Sequence, residues 1–224
     1  MAGQPTILRL LEYATHRRAP FLLGLLLALL QILNAPIANA GSLTVNGITF
    51  SDHIGGFVLE KASGTGSLDD PFVLTERITS LDGGTPAFVV PMNFGNHIGS
   101  THMVGFALIK VIENATSEPW TGFELELQSK LGVPSEDSDG LSFAQGSTAG
   151  RPFTATPFEE VTVKDRPYDR VEIERGRVPV GGHMKIALVI TLFDPLPEAY
   201  LVQRPSRPVA IKQPRPSDEQ IAQR

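Results

Sequence analysis

Hydrophobic and polar residues in this chain alternate with a period of two more often than with a helical period, and that alternation predicts strands. Phe123, Leu125 and Leu127 fall on one parity, while Glu124, Glu126 and Gln128 fall on the other. Val171 and Ile173 oppose Glu172 and Glu174 in the same way. Such strands have one apolar face and one wet face, so Glu124 and Glu126 are expected to be solvated. The run Ile186–Phe193 is apolar on both parities, which predicts a strand covered on both faces. Its β-branched residues favour a strand over a short helix. Further strand-like runs are Gly56–Glu60, Phe72–Ile78, Ala87–Met92, Met103–Glu113 and Val161–Val163. Leu43–Val45 and Ile48–Phe50 flank Asn46-Gly47, a pair suited to a type I′ turn because both central residues need positive φ.

Clusters of Gly, Pro, Asp, Ser and Asn separate these runs, as in 63–71 and 82–86. About nine strands with regular turn signals, and no amphipathic helix after the first forty residues, predict two antiparallel sheets packed face to face. The expected fold class is all-β: an antiparallel β-sandwich of immunoglobulin-like or jelly-roll type, with a barrel as the alternative. No internal repeat of solenoid or propeller kind is visible.

Residues 1–40 read as a signal peptide with a signal helix: Arg9, Arg17 and Arg18 precede an apolar run, Pro20–Leu33, and Ala38-Asn39-Ala40 supplies a small-x-small cleavage site. Gly41 is expected to begin the mature chain. The apolar run is about fourteen residues, shorter than the roughly 20 a spanning helix needs, so a cleaved leader is expected over the alternative of an uncleaved membrane anchor, and no stable membrane span is expected after cleavage. Domain boundaries follow: a β-sandwich at 41–194, and a proline-rich basic tail at 195–224 that is largely disordered, with Tyr200–Val202 a candidate short edge strand.

The chain carries 19 Lys+Arg and 24 Asp+Glu over 224 residues. Three basic residues and one acidic residue lie in the leader, and five basic and three acidic residues lie in the tail, so 41–194 holds 11 basic and 20 acidic groups. That acidic body argues against nucleic acid as a partner. The absence of Cys excludes disulfides, thiolate zinc sites and thiol catalysis.

Candidate chemistry is thin. Glu136, Asp137 and Asp139, followed by the turn glycine Gly140, make a possible calcium loop, although position twelve of an EF-hand counted from Ser135 is Gly146 rather than a carboxylate. His97 and His102 lack metalloprotease spacing. Gly146–Gly150 puts Thr148 where a serine nucleophile belongs. Glu124 and Glu126 share a strand face about 7 Å apart and are the best glycosidase-like pair. Trp120 is the candidate stacking platform for a sugar, or else a core plug. Asn114-Ala-Thr116 matches a glycosylation acceptor. The tail prolines would suit a polyproline ligand or a spacer.

Val111–Thr116, then Trp120–Leu127, then Asp139–Phe143 together resemble a pattern in exported bacterial β-sandwich proteins, many of which carry a C-terminal sorting segment of the PEP-CTERM kind. The Pro-Glu-Pro sorting motif of those members does not occur in the C-terminal residues here. The resemblance implies fold and export, and no catalytic residue. The expected function is an exported, non-catalytic interaction or structural module, secreted or periplasmic, whose partner is a protein or polysaccharide at the cell envelope. The alternatives are a calcium-assisted carbohydrate-binding module and, third, a glycoside-active enzyme. No cofactor is expected other than calcium.

Overall fold

A computed structural model describes residues 41–136, 138–144 and 153–208. The expected leader, Asp137 and the chain beyond 208 lie outside the described residues. The described residues are all-β, with fourteen strands in two sheets and no helix.

Asn46 and Gly47 adopt φ of 42° and 91° and join β1 (Ser42–Val45) to β2 (Ile48–Ser51) as a tight hairpin. The remaining strands of the larger sheet are β5 (Ala87–Val89), β7 (Gly122–Lys130), β8 (Val133–Pro134), β11 (Glu160–Lys164), β12 (Arg170–Glu174) and β14 (Ala199–Ser206). Its order is β1-β2-β5-β14-β7-β12-β11, with β8 also paired to β7. The six-stranded sheet contains β3 (Phe57–Ser63), β4 (Phe72–Ile78), β6 (Val104–Asn114), β9 (Leu141–Ser142), β10 (Thr154–Thr156) and β13 (His183–Leu192). Its order is β10-β13-β6-β4-β3, with β9 on β13.

The inner faces of both sheets share one apolar cluster, which makes the fold sandwich-like. Phe50 of β2 meets Phe72 of β4 edge-on at 5.6 Å between ring centroids, and Phe88 of β5 meets Phe106 of β6 at 6.0 Å. These ring pairs join one layer to the other and combine large apolar burial with favourable edge-to-face geometry. On the far side of β6 and β13 a smaller cluster of Ile98, Ala107, Ala144 and Val189, with Phe153 against it, covers the six-stranded sheet. This explains why 186–193 is apolar on both parities.

Two expectations need correction. The sheets are not wholly antiparallel: β4 and β6 run parallel, from Phe72 opposite Leu108 to Ile78 opposite Asn114. After β4 the chain visits the other layer as β5 before returning as β6, and such a crossover permits parallel pairing, which a tight hairpin does not. The tail also begins later than Pro195. Ala199–Ser206 is an interior strand between β5 and β7, not an edge or disordered chain. Pro205 is tolerated there because odd-numbered residues of β14 bond toward Gly84 and Pro86, and the Gly84–Gln203 bridge is the last described pairing on that side. The donor that proline lacks falls where the ladder has already ended.

Candidate functional site

The outer face of the larger sheet carries a network of charged side chains. β7 presents Glu124, Glu126 and Gln128 outward, as alternation requires, while Phe123, Leu125 and Leu127 enter the core. Register sets Arg170 of β12 opposite Glu126, and Arg204 of β14 opposite Glu124. Arg204 donates to Glu124 Oε1 at 2.6 Å and to Glu126 Oε1 at 3.2 Å. Arg170 Nη2 lies 2.5 Å from Glu126 Oε2, and Gln128 Nε2 donates to Glu126 Oε1 at 2.7 Å. The Gln128 carbonyl oxygen in turn accepts the Gly132 N–H at 2.7 Å. Tyr168 lies under the Arg170 guanidinium at 5.6 Å.

Glu126 is therefore not solvated, and this corrects the expectation for the pair. Its side chain is 1% exposed because long side chains from both neighbouring strands close over it. Burial by itself would raise its carboxyl pKa. The hydrogen bonds from Arg204 and Gln128 and the charges of both arginines outweigh burial and hold it below the ordinary glutamate range. Burial likewise works against the Arg204 cation, yet Glu126 and Glu124 raise its pKa above the ordinary value. A general acid on a glycosidase needs the opposite shift. Glu126 is a fixed anion that clamps three strands.

Beside this clamp, Glu124, Glu172, Glu174, Arg175, Thr121 and Ser206 line an open groove of about 530 Å³. Glu172 stands directly opposite Glu124 and is held by Lys164 at 2.5 Å. The groove's net excess of carboxylates suits a cationic group.

The acidic loop is a different kind of element. Asp139 Oδ1 accepts from Ser135 Oγ at 2.7 Å and from the Leu141 N–H at 3.0 Å, so that oxygen closes the turn. Glu136 lines an open depression together with Ser138, Arg166 and Pro167. Asp137 is outside the described residues. Among the described residues no group of three or more His, Cys, Asp or Glu is placed to hold a metal.

Trp120 is 0% exposed, which removes it as a stacking platform. Its Nε1 donates to Thr116 Oγ1 at 3.3 Å and its ring lies 5.5 Å from Phe123. Asn114 is equally buried: its Oδ1 accepts from the Thr116 N–H and hydroxyl, and its Nδ2 donates to the Glu118 and Val178 carbonyls. The Asn-x-Thr and Trp pattern thus builds a corner of the core, and in the folded chain the Asn114 amide is closed to a glycan. His97 stacks on Phe94 at 4.3 Å, and His102 packs 5.0 Å from Phe193 with its pKa lowered by burial.

Three features escape sequence reasoning. Arg204, which reads as a tail residue, is part of the clamp. Ser51 Oγ lies 2.9 Å from His53 Nδ1, with Glu198 3.7 Å from His53 Nε2. This resembles a nucleophile, base and acid in composition, but Ser51 also reaches the Gly41 carbonyl at 3.2 Å and the acid sits beyond hydrogen-bond distance. Finally, Phe193 and Met103 are 62% and 61% exposed at the end where the Phe193 N–H donates to the Gly140 carbonyl, beside the acidic loop. The spacing of apolar residues marks both as core candidates, and only their position at the strand ends exposes them.

No protein-family model matches this chain, and no curated protein or solved structure matches it either.

Proposed function

We propose that this chain is an exported, non-catalytic β-sandwich module, secreted or periplasmic, that meets a protein or polysaccharide partner at the cell envelope through the outer face of its larger sheet. The reading of the leader and the resemblance to exported β-sandwich proteins support export. Two sheets that share one apolar core support the sandwich, of immunoglobulin-like or jelly-roll type, with the parallel β4–β6 pair as its departure from a wholly antiparallel plan. One observation carries the choice of binding over catalysis. The best-placed carboxylate pair is neutralised in place, with Glu126 held below the ordinary range by two guanidiniums on an open face.

The contact surface is then the groove of Glu124, Glu172 and Glu174. Exported protein, immobilised and exposed to envelope extract, is expected to retain a partner that E172K/E174K loses while its melting temperature stays within a few degrees. A broad hydrolase screen with turnover abolished by Glu124→Gln would overturn the reading.

A calcium-assisted carbohydrate module is the second reading, favoured by exposed Phe193 and Met103 beside the 136–140 loop. They supply the apolar surface that Trp120 does not. On this reading calcium raises Tm and a chelator reverses it, by mass action on the folded state. An unchanged Tm removes it. Glycoside hydrolysis is the least supported, since its carboxylates are tied in ion pairs.

A further inference from the structure

The β1–β2 hairpin is followed by a buried acid, Asp52, that has no counter-charge among the described residues. Asp52 is 8% exposed, and among the described residues no Lys, Arg or His lies within ion-pair distance of it. Its Oδ2 accepts the Leu59 N–H of β3 at 3.0 Å, and its Oδ1 accepts the Gly41 N–H at 2.5 Å. The Gly41 carbonyl is held in return, by the Asp52 N–H at 3.1 Å and by Ser51 Oγ at 3.2 Å. Gly41 is therefore held through both its nitrogen and its carbonyl oxygen. Buried carboxylates ordinarily have a cation or several donors, because burying an unpaired charge is costly. Gly41 is also the residue that follows the small-x-small sequence Ala38-Asn39-Ala40.

We propose that Asp52 is the receptor for the terminus created by processing: cleavage between Ala40 and Gly41 turns the Gly41 nitrogen into an α-ammonium that pairs with the Asp52 carboxylate and fastens β1–β2 to β3. Hydrolysis by a leader peptidase consumes one water, leaves a carboxylate on Ala40 and an amine on Gly41, and the amine takes up a proton near neutral pH. The neutral amide donor of the precursor becomes a charged donor at the same atom, and charge-assisted bonds are roughly twice as strong as neutral ones. The inference rests on the export reading for the cut itself. It assigns Asp52 a role that the sheet-face partner does not touch.

The test uses the full chain expressed with its leader in an exporting host. N-terminal sequencing and intact mass of the recovered protein are expected to give Gly41 as the first residue; any other start overturns the cleavage reading and with it the ion pair. On protein starting at Gly41, the α-amine is labelled with an amine-selective reagent near neutral pH, folded and in urea. A paired ammonium holds its proton more tightly, and one unit of such stabilisation lowers the reactive free base about tenfold, so the folded protein is expected to label about ten times more slowly than the unfolded. Asp52→Asn is expected to bring the folded rate to within about threefold of the unfolded and to lower Tm by about 4 °C. Equal labelling of folded and unfolded wild-type protein overturns the socket whether or not the variant folds, and leaves the export reading standing.

Discussion

Two of the buried charge sets among the described residues, one between the sheets and one on an outer face, are built differently. Lys110 of β6 and Glu76 of β4 are both 0% exposed and point between the sheets, where Lys110 Nζ donates to Glu76 Oε2 at 2.9 Å. Glu76 Oε1 has no hydrogen-bond partner among the described residues. Glu126 lies on the opposite side of the other sheet and receives two arginines and a glutamine. The interior pair is a single contact in the least forgiving surroundings, and the exterior set is a network at the edge of water. Desolvation costs the first pair more and coordination returns it less. We therefore read Glu76–Lys110 as fixing how β4 and β6 pair in parallel, and the Glu126 clamp as holding β12, β7 and β14 in register. Replacing both core charges by apolar residues would break the first role if the register survives unchanged.

The largest effect is expected from removing one half of the core pair. Lys110→Met leaves Glu76 charged and unpaired, and urea unfolding should show a loss of about 3–5 kcal/mol. Glu76→Leu combined with Lys110→Met should instead lie within about 1 kcal/mol of the parent, or above it. A double variant as unstable as the single would contradict this comparison.

A smaller effect is expected at the clamp. Glu126→Gln removes the anion between two guanidiniums and should cost about 2 kcal/mol at neutral pH. Its pKa is depressed on folding, so its contribution is complete above the unfolded glutamate value and is lost as pH falls through the lower folded value. Unfolding followed from neutral pH into acid should therefore show the gap between parent and Glu126→Gln begin to narrow only as pH falls through the ordinary glutamate value, and close below it. A gap that closed near pH 6 would place the carboxyl's pKa on the wrong side of its ordinary value.

The smallest effect belongs to the rim. Lys164 and Glu172 are 45% and 33% exposed, so Lys164→Ala should cost under about 1 kcal/mol and less still in high salt.

Much of this architecture is legible in local pattern. The parity of 123–128 separates core from outer face, Asn46-Gly47 marks its hairpin, and Phe72–Ile78 is the observed strand to the residue. What the pattern omits is who stands beside whom. Parity puts Glu126 outward, but only the arrival of Arg170 and Arg204 on both flanks buries it. Lys110 shares the inward parity of Leu108 and Ile112, yet its partner comes from a strand paired in parallel, a relation that no local period encodes. In the tail the prolines mask an alternation: Ala199, Leu201 and Gln203 face inward while Tyr200, Val202 and Arg204 do not. The candidate surface depends on these cross-strand meetings, so less of it than of the fold is visible in sequence.

The placement of β14 sets a timetable. Residues 199–206 are made last among the described strands but lie mid-sheet, so β1-β2-β5 and β7-β12-β11 have no bridge between them until that segment arrives. A ribosome or a translocation pore releasing the chain from its amino end would hold two unjoined halves for most of synthesis. For a chain that folds as it emerges, a keystone laid late postpones closure of the larger sheet until synthesis of the described strands is nearly done.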